Sequence, residues 1–369
     1  MHNPIQNFQI ALEKRKASET LRTVHPKREG IDFYSNDYLG LARNEEFQKL
    51  LFQKVEENPK LLKGSTGSRL ISGNSNLVSE VEDFIATQHQ ADSALLFSSG
   101  FNANLALFSA LPSRHDTIIV DEQIHRSVHD GCKLSNAKKL KFKHNDVEDL
   151  ERILKKQNGI SYVAIESLYS MDGDIAPIRE ILEICEKYNA FLIVDEAHAF
   201  GVFGLGLVHK FQFQNRVFAT VITYGKALGS HGAAILTNQV VTSYLINFAS
   251  PFIYTTSSHD FLWMSIQCGY QFLDNNPQLK VKLRQNIKTF THQNIETLSS
   301  MESPIQAIII PDNHQLKTLK NTLLESGLLT YTVFSPTVKE GSERLRICLH
   351  SFNKEPEILG LTQIIKDFL

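Results

Sequence analysis

V-F-A-T-V-I-T-Y-G-K-A-L-G-S-H-G-A-A-I-L, residues 217–236, sets two short apolar runs around the polar turn Thr223-Tyr224-Gly225-Lys226, with Gly229 and Gly232 beyond it. The pattern predicts a buried strand, a loop and a second buried strand. A lysine ordinarily sits at the surface, because its ammonium group is costly to bury unpaired. Lys226 is instead flanked by apolar strands and glycines, which would desolvate it, lower its pKa and free its amine to attack a carbonyl. Those are the requirements of a Schiff-base lysine.

Outward from that stretch, helices and apolar strands alternate. Strands are expected at 94–97, 117–120, 162–166, 191–194 and 217–223, and helices at 78–88, 146–157 and 177–188. Such alternation argues for an α/β fold with a mostly parallel sheet covered on both faces, and ligands then belong at the carboxyl ends of the strands. Residues 1 to about 30 read as one amphipathic helix ending before Pro26, an arm that needs a surface to lie on. A short strand from Ile31 breaks at Ser35-Asn36-Asp37, a helix follows over 45–58, stopped by Pro59, and 64–73 is a loop dense in Gly and Ser. After about Leu236 come helices at 239–248, 258–275 and 277–298, and then short strands at 307–310 and 344–349. The expected organisation is an arm (1–45), a large domain (46–238) and a smaller α+β domain (239–369).

The chemistry sits at the strand ends. Asp195 closes the apolar run Phe191-Leu192-Ile193-Val194, and His198 follows three residues later. A carboxylate there is either a helix N-cap or an anion set against a buried ring nitrogen. Pyridoxal phosphate needs the second arrangement together with a lysine and a phosphate cup. Ser99-Gly100-Phe101 supplies the cup, with backbone N–H groups at a helix start and a glycine that lets phosphate approach, and Thr223 adds a hydroxyl. His125 is the candidate to stack on a planar ring. Its i, i+4 spacing to His129 lacks the H-E-x-x-H glutamate and a third ligand, so no metal is expected.

Composition excludes other classes. The 369 residues carry 38 Lys and Arg against 40 Asp and Glu, which removes the basic face that a nucleic-acid or anionic-membrane partner requires. No apolar run is long enough to span a bilayer and none opens the chain as a leader, so a cytoplasmic location is expected. Cys132, Cys185, Cys268 and Cys348 are scattered without C-x-x-C spacing and read as reduced core residues. A Rossmann-like nucleotide site is suggested only by Gly201, Gly204 and Gly206, which do not follow a strand and open a helix at the required spacing.

Together, S-N-D-Y-L-G-L (35–41), G-S-T-G-S-R-L-I-S-G (64–73), S-S-G-F-N-A-N (98–104), H-N-D-V (144–147), E-S-L-Y-S-M-D-G-D (166–174), V-D-E-A-H (194–198) and T-Y-G-K-A-L-G (223–229) resemble the α-oxoamine synthases. The resemblance covers nearly the whole chain. It implies the aspartate-aminotransferase-like fold (fold type I of the pyridoxal-phosphate-dependent transferases), with a large seven-stranded sheet, and a homodimer with shared active sites. It also implies an acyltransferase that condenses an amino acid with an acyl thioester and releases carbon dioxide.

By motif position the resemblance assigns Lys226 to the cofactor and to proton transfer, Asp195 to the pyridine nitrogen, His198 to the ring hydroxyl and His125 to the ring face. Ser170 would contact the cofactor, and Gly100, Phe101 and Thr223 its phosphate. Thr256 would reach the phosphate of the neighbouring subunit's cofactor. In the tail, Thr337 and Arg346 would hold substrate, with Arg346 gripping the amino-acid carboxylate and Asn36 assisting. Ser68 stands where aminolevulinate synthases carry a threonine that admits only glycine, so alanine fits and serine is not excluded. The preferred substrates are L-alanine and a pimeloyl thioester on CoA or acyl carrier protein, as in biotin synthesis. Serine palmitoyltransferase and glycine C-acetyltransferase are the sister activities. One departure concerns the acyl substrate, where the family's arginine near the end of the first helix is replaced by Thr23, with Arg22 adjacent.

Overall fold

Alternation of apolar side chains along each central strand builds the architecture. Leu95 and Phe97 pack on one face of the sheet with Ile118, Val120, Ile193 and Val221. Ala94 and Leu96 pack on the other with Ile119, Val163, Val194 and Ile222. Each strand is therefore buried on both sides, as helices covering both faces require. The computed structural model describes residues 3–369 apart from 19, 25, 27 and 336.

The strands are β1 (Ile31–Asp32), β2 (Ser93–Phe97), β3 (Thr117–Asp121), β4 (Lys138–Phe142), β5 (Ser161–Glu166), β6 (Phe191–Asp195), β7 (Ala219–Thr223) and β8 (Ala233–Thr237), followed by β9 (Ile305–Ile309), β10 (Leu328–Leu329), β11 (Tyr331–Val333) and β12 (Arg344–Cys348). The large sheet has seven strands in the order β2-β8-β7-β6-β5-β3-β4. Only β8 runs against its neighbours. The strand ends at Phe97, Asp121, Phe142, Glu166, Asp195 and Thr223 therefore all emerge on one rim. A three-stranded antiparallel sheet, β11-β12-β9, forms the C-terminal layer, and β1 pairs in parallel with β10, tying the N-terminal segment to it.

Two of the elements that were not anticipated bear on the large sheet. β4 reads K-K-L-K-F, too charged to look like a strand, yet it is the sheet edge, where lysines discourage pairing with another chain. The helix Arg126–Leu134 packs so closely on the helix Gly100–Ala110 that a Cβ on Gly131 would lie 2.8 Å from Phe108 Cβ. Two expected helices are shorter. The first runs only over Pro4–Ala17, because the Ser18 hydroxyl and the Thr20 amide both turn back onto the Arg15 carbonyl and close it. It buries no residue against this chain, and Ile5, Phe8 and Leu12 stay exposed. The helix from Gln278 ends at Thr291. Gly201, Gly204 and Gly206 form a turn before the short helix Leu207–Lys210, a helix of one turn rather than the long one a dinucleotide fingerprint opens. The four cysteines are free and buried. Among the described residues no helix is long and apolar enough to cross a membrane.

Candidate active site

The rim encloses a cavity of about 270 Å³ lined by Lys226, Asp195, His198, His125, Gly100 and Thr223, with Asn36 and Phe101 at its walls. These groups, Asn36 apart, arrive from four strand ends, those of β2, β3, β6 and β7. β2 hands the chain to the helix Gly100–Ala110, whose N-cap Ser99 accepts from the Asn102 amide and leaves the first N–H groups of the helix facing the cavity mouth. A Cβ at Gly100 would stand 2.4 Å from Thr223 Cγ2, so only glycine fits here. His125, after β3, caps the helix Arg126–Leu134, and its Nδ1 shares a 2.8 Å hydrogen bond with Ser127 Oγ.

β6 and β7 lie side by side in register from Ile193 and Ala219, which sets Asp195 beside the loop carrying Lys226. Asp195 is buried. It accepts from the Ala197 amide at 2.9 Å and from Asn104 Nδ2 at 2.7 Å. Lys226 keeps part of its surface open to the cavity, yet the surrounding protein desolvates it and lowers its pKa, against the opposing charge of Asp195. His198 is neutral, since burial and then the nearby Lys226 and Arg346 charges hold its pKa well below the usual value. Its Nδ1 shares a 2.7 Å hydrogen bond with the Tyr38 hydroxyl, which also donates to Asn36 Oδ1. The Thr223 hydroxyl is buried with no partner.

Arg346, on β12, adjoins this cavity through Asn36. Its Nη2 donates to Asn36 Oδ1 at 3.0 Å and its Nε to the Ser170 carbonyl at 2.7 Å, while Nη1 lies 3.1 Å from Cys348 Sγ. The guanidinium is buried, and among the described residues no carboxylate pairs with it. An uncompensated buried cation is expensive, so this arrangement suits an anionic ligand.

Four expected residues besides Arg346 lie outside the cavity lining in this chain, and Ser170 is one of them, buried in the turn after β5 with its carbonyl on Arg346. Ser68 sits in the 64–73 loop, which is tied to Ser257 by the Ser257 amide on the Gly67 carbonyl. Thr256 is exposed and lines a separate cleft with Arg69 and Trp263. Thr337 is exposed and accepts from Arg22 at 3.1 Å, while Pro336, beside it in S-P-T-V, lies outside the described residues. Three further groups in the site were not singled out by the motifs. Glu166 is buried in the cavity wall with Oε1 unpartnered, and burial, reinforced by Asp195, pushes its carboxyl up to about 8. Asn104 and Tyr38 orient Asp195 and His198. All three lay inside quoted motifs, E-S-L-Y-S-M-D-G-D, S-S-G-F-N-A-N and S-N-D-Y-L-G-L, but only spatial contact gives them a role.

The family described as Aminotransferase class I and II matches residues 28–359. The chain is 37% identical over 367 residues to an 8-amino-7-oxononanoate synthase of Emericella nidulans, with 92% of this chain and 89% of that one covered. A solved 8-amino-7-oxononanoate synthase from Francisella tularensis is 31% identical with a TM-score of 0.77, covering 92% of this chain and 97% of that one. A Sphingomonas wittichii serine palmitoyltransferase is 26% identical with a TM-score of 0.89, covering 100% and 98%.

Proposed function

This chain belongs to the aminotransferase class I and II family, and from that premise we propose that it condenses L-alanine with a pimeloyl thioester to give 8-amino-7-oxononanoate, carbon dioxide and the free thiol, a step of biotin synthesis. The thiol carrier is CoA or acyl carrier protein. The observation that carries the reading is the buried, acid-free guanidinium of Arg346 beside a cavity that also holds a desolvated lysine. The carboxylate of an amino acid satisfies the guanidinium, and an aldehyde-bearing cofactor satisfies the lysine.

Pyridoxal phosphate fits the residues present, since the orphaned Thr223 hydroxyl and the space that a Cβ at Gly100 would fill match a phosphate at the start of the helix Gly100–Ala110. When bound, the cofactor supplies an electron sink for negative charge on the amino acid's α-carbon. Lys226 would hold the cofactor and, when its amine is free, its lowered pKa would let Nζ remove and return the α-proton. Asp195, fixed by Asn104 and the Ala197 amide, would keep a proton on the ring nitrogen. His198, held by Tyr38, would orient the ring hydroxyl, and His125 would cover the ring face. Gly100, Phe101 and Thr223 would take the phosphate, with Ser170 contacting the cofactor. Arg346 and Asn36 seat the substrate carboxylate. We also assign a homodimer with shared sites, in which Thr256, Ser68 and the exposed first helix meet the other subunit.

The test is a panel of alanine, serine and glycine against pimeloyl, palmitoyl and acetyl thioesters, followed by release of carbon dioxide. Turnover confined to alanine with the pimeloyl thioester is expected. Preference for serine with palmitoyl thioester would replace this reading with the sister activity.

A further inference from the structure

His144 stands two residues past β4, on the same rim as the cavity but outside its lining. Both of its ring nitrogens meet carboxylates, with Nδ1 2.9 Å from Asp121 Oδ1 and Nε2 2.8 Å from Asp174 Oδ2. An ionised carboxylate only accepts, so an imidazole bonded to two of them donates from both nitrogens, as only the imidazolium does. Asn145 reinforces the junction through its amide on Asp121 Oδ2 at 2.9 Å and its Nδ2 on Asp174 Oδ2 at 2.6 Å. The Tyr169 ring packs edge-on against His144, with centroids 4.4 Å apart.

Asp121 is the fully buried last residue of β3, whereas Asp174 closes the 167–174 turn, its carbonyl accepting from the Tyr169 amide at 3.0 Å. The Ser170 carbonyl of that turn receives Arg346 Nε, and its amide donates to Glu166 Oε2 at 3.1 Å. Asp172 of the same turn contacts Arg344, so the turn braces both arginines of β12.

Resting on the alanine-condensing reading above, we propose that His144 is a positioning residue. Clamped between Asp121 and Asp174, it fixes the 167–174 turn and, through the Ser170 carbonyl, the Arg346 guanidinium that receives the amino acid's carboxylate. His144, Asp172 and Asp174 are also close enough together to suggest a metal. Arg344 already occupies Asp172, however, and both imidazole nitrogens are taken, so the cluster is an ion-pair network.

The clamp has a pH signature. His144 is faced by Asp121 from β3, by Asp174, Tyr169 and the Arg344-paired Asp172 from the turn, and by Glu122, which pairs with Lys339. Burial alone would lower its pKa, but the hydrogen bonds and charges of Asp121 and Asp174 outweigh that and raise it to about 9. The clamp is complete below the ordinary histidine value and is lost as pH rises through about 9.

The experiment compares wild-type holoenzyme with His144→Gln and Asp174→Asn. Alanine and thioester kinetics are measured from pH 6 to 10, with hydrogen exchange at the Tyr169 and Gly173 amides. We expect His144→Gln, which offers one donor group to two carboxylates, to raise the alanine KM about tenfold while the thioester KM stays within about threefold. The wild-type alanine KM should climb above pH 9, a rise that His144→Gln lacks, and both amides should exchange faster in the variant. An unchanged alanine KM in folded His144→Gln, an equal rise for both substrates, or a chelator that reproduces the variant would each overturn the proposal. If His144→Gln does not fold, Asp174→Asn, which removes one charge and keeps an oxygen for Nε2, decides by the same pattern. A wild-type enzyme indifferent to alanine overturns the substrate reading alone, and exchange at Tyr169 and Gly173 then decides the clamp.

Discussion

Glu166 and Asp195 stand side by side, paired in register at the carboxyl ends of β5 and β6, and both line the cavity of Lys226. Two buried carboxylates this near one lysine cannot share a protonation state cheaply. Asp195 has hydrogen-bond donors on both oxygens, whereas Glu166 keeps Oε1 without a partner, so Glu166 is the one that holds a proton.

Glu166 therefore makes the cofactor-free protein less stable as pH rises. Its carboxyl moves from the ordinary 4.5 up to about 8 on folding, so the folded state alone retains the proton across that window and stability falls through it. Glu166→Gln should melt higher than wild type above pH 8, with the two curves converging near pH 4.5. Parallel curves across the range, measured by differential scanning calorimetry, would show that Glu166 is ionised in the fold.

Lys226→Ala should abolish turnover, a loss of about a thousandfold or more, because among the described residues lining the cavity no other offers an amine. It should also remove the borohydride-reducible link to pyridoxal phosphate. Peptide mapping that finds the reduced cofactor on a different lysine would reject the assignment.

Asp195→Asn should fold, since its one oxygen can still accept from the Ala197 amide and its NH2 can donate to Asn104 Oδ1, which otherwise has no partner, once the Asn104 amide turns over, while α-proton exchange of alanine slows by roughly two or more orders of magnitude. Asn104→Ala should show the same defect in weaker form. Near-normal exchange in Asp195→Asn would reduce the residue to a turn cap.

Arg346→Lys keeps the charge but loses the planar fork that bonds Ser170 and Asn36. An increase of about thirtyfold to a hundredfold in the alanine KM is expected, corresponding to roughly 2–3 kcal/mol for a charge-assisted hydrogen bond. Equal weakening of alanine and of the thioester would place the carboxylate elsewhere.

Thr256 tests the shared site, because in this chain it lies in a cleft apart from the cavity. Mixing an inactive Lys226→Ala chain with an inactive Thr256→Trp chain should restore some activity, since one site of each hybrid dimer combines a sound lysine with a sound threonine. Hybrids that form and stay inactive would reject the arrangement.

The sequence by itself determined the alternation that makes a doubly covered, mostly parallel sheet, and it set Gly100, His125, His198 and Lys226 just past strand ends, with Asp195 the last residue of its strand. Those readings hold because burial on both faces leaves a strand its apolar run, and chemistry that must meet a ligand sits where that run stops. Only the tertiary structure decided which strand ends are neighbours. The charged run K-K-L-K-F is a strand only because it lies at the edge. Glu166 holds a proton because the fold buries it and β6 brings Asp195 beside it, and His144 becomes a clamp only where β3 and the 167–174 turn converge. Ionisation and hydrogen-bond partners depend on the field of groups tens of residues away in the chain, and no local pattern encodes that distance.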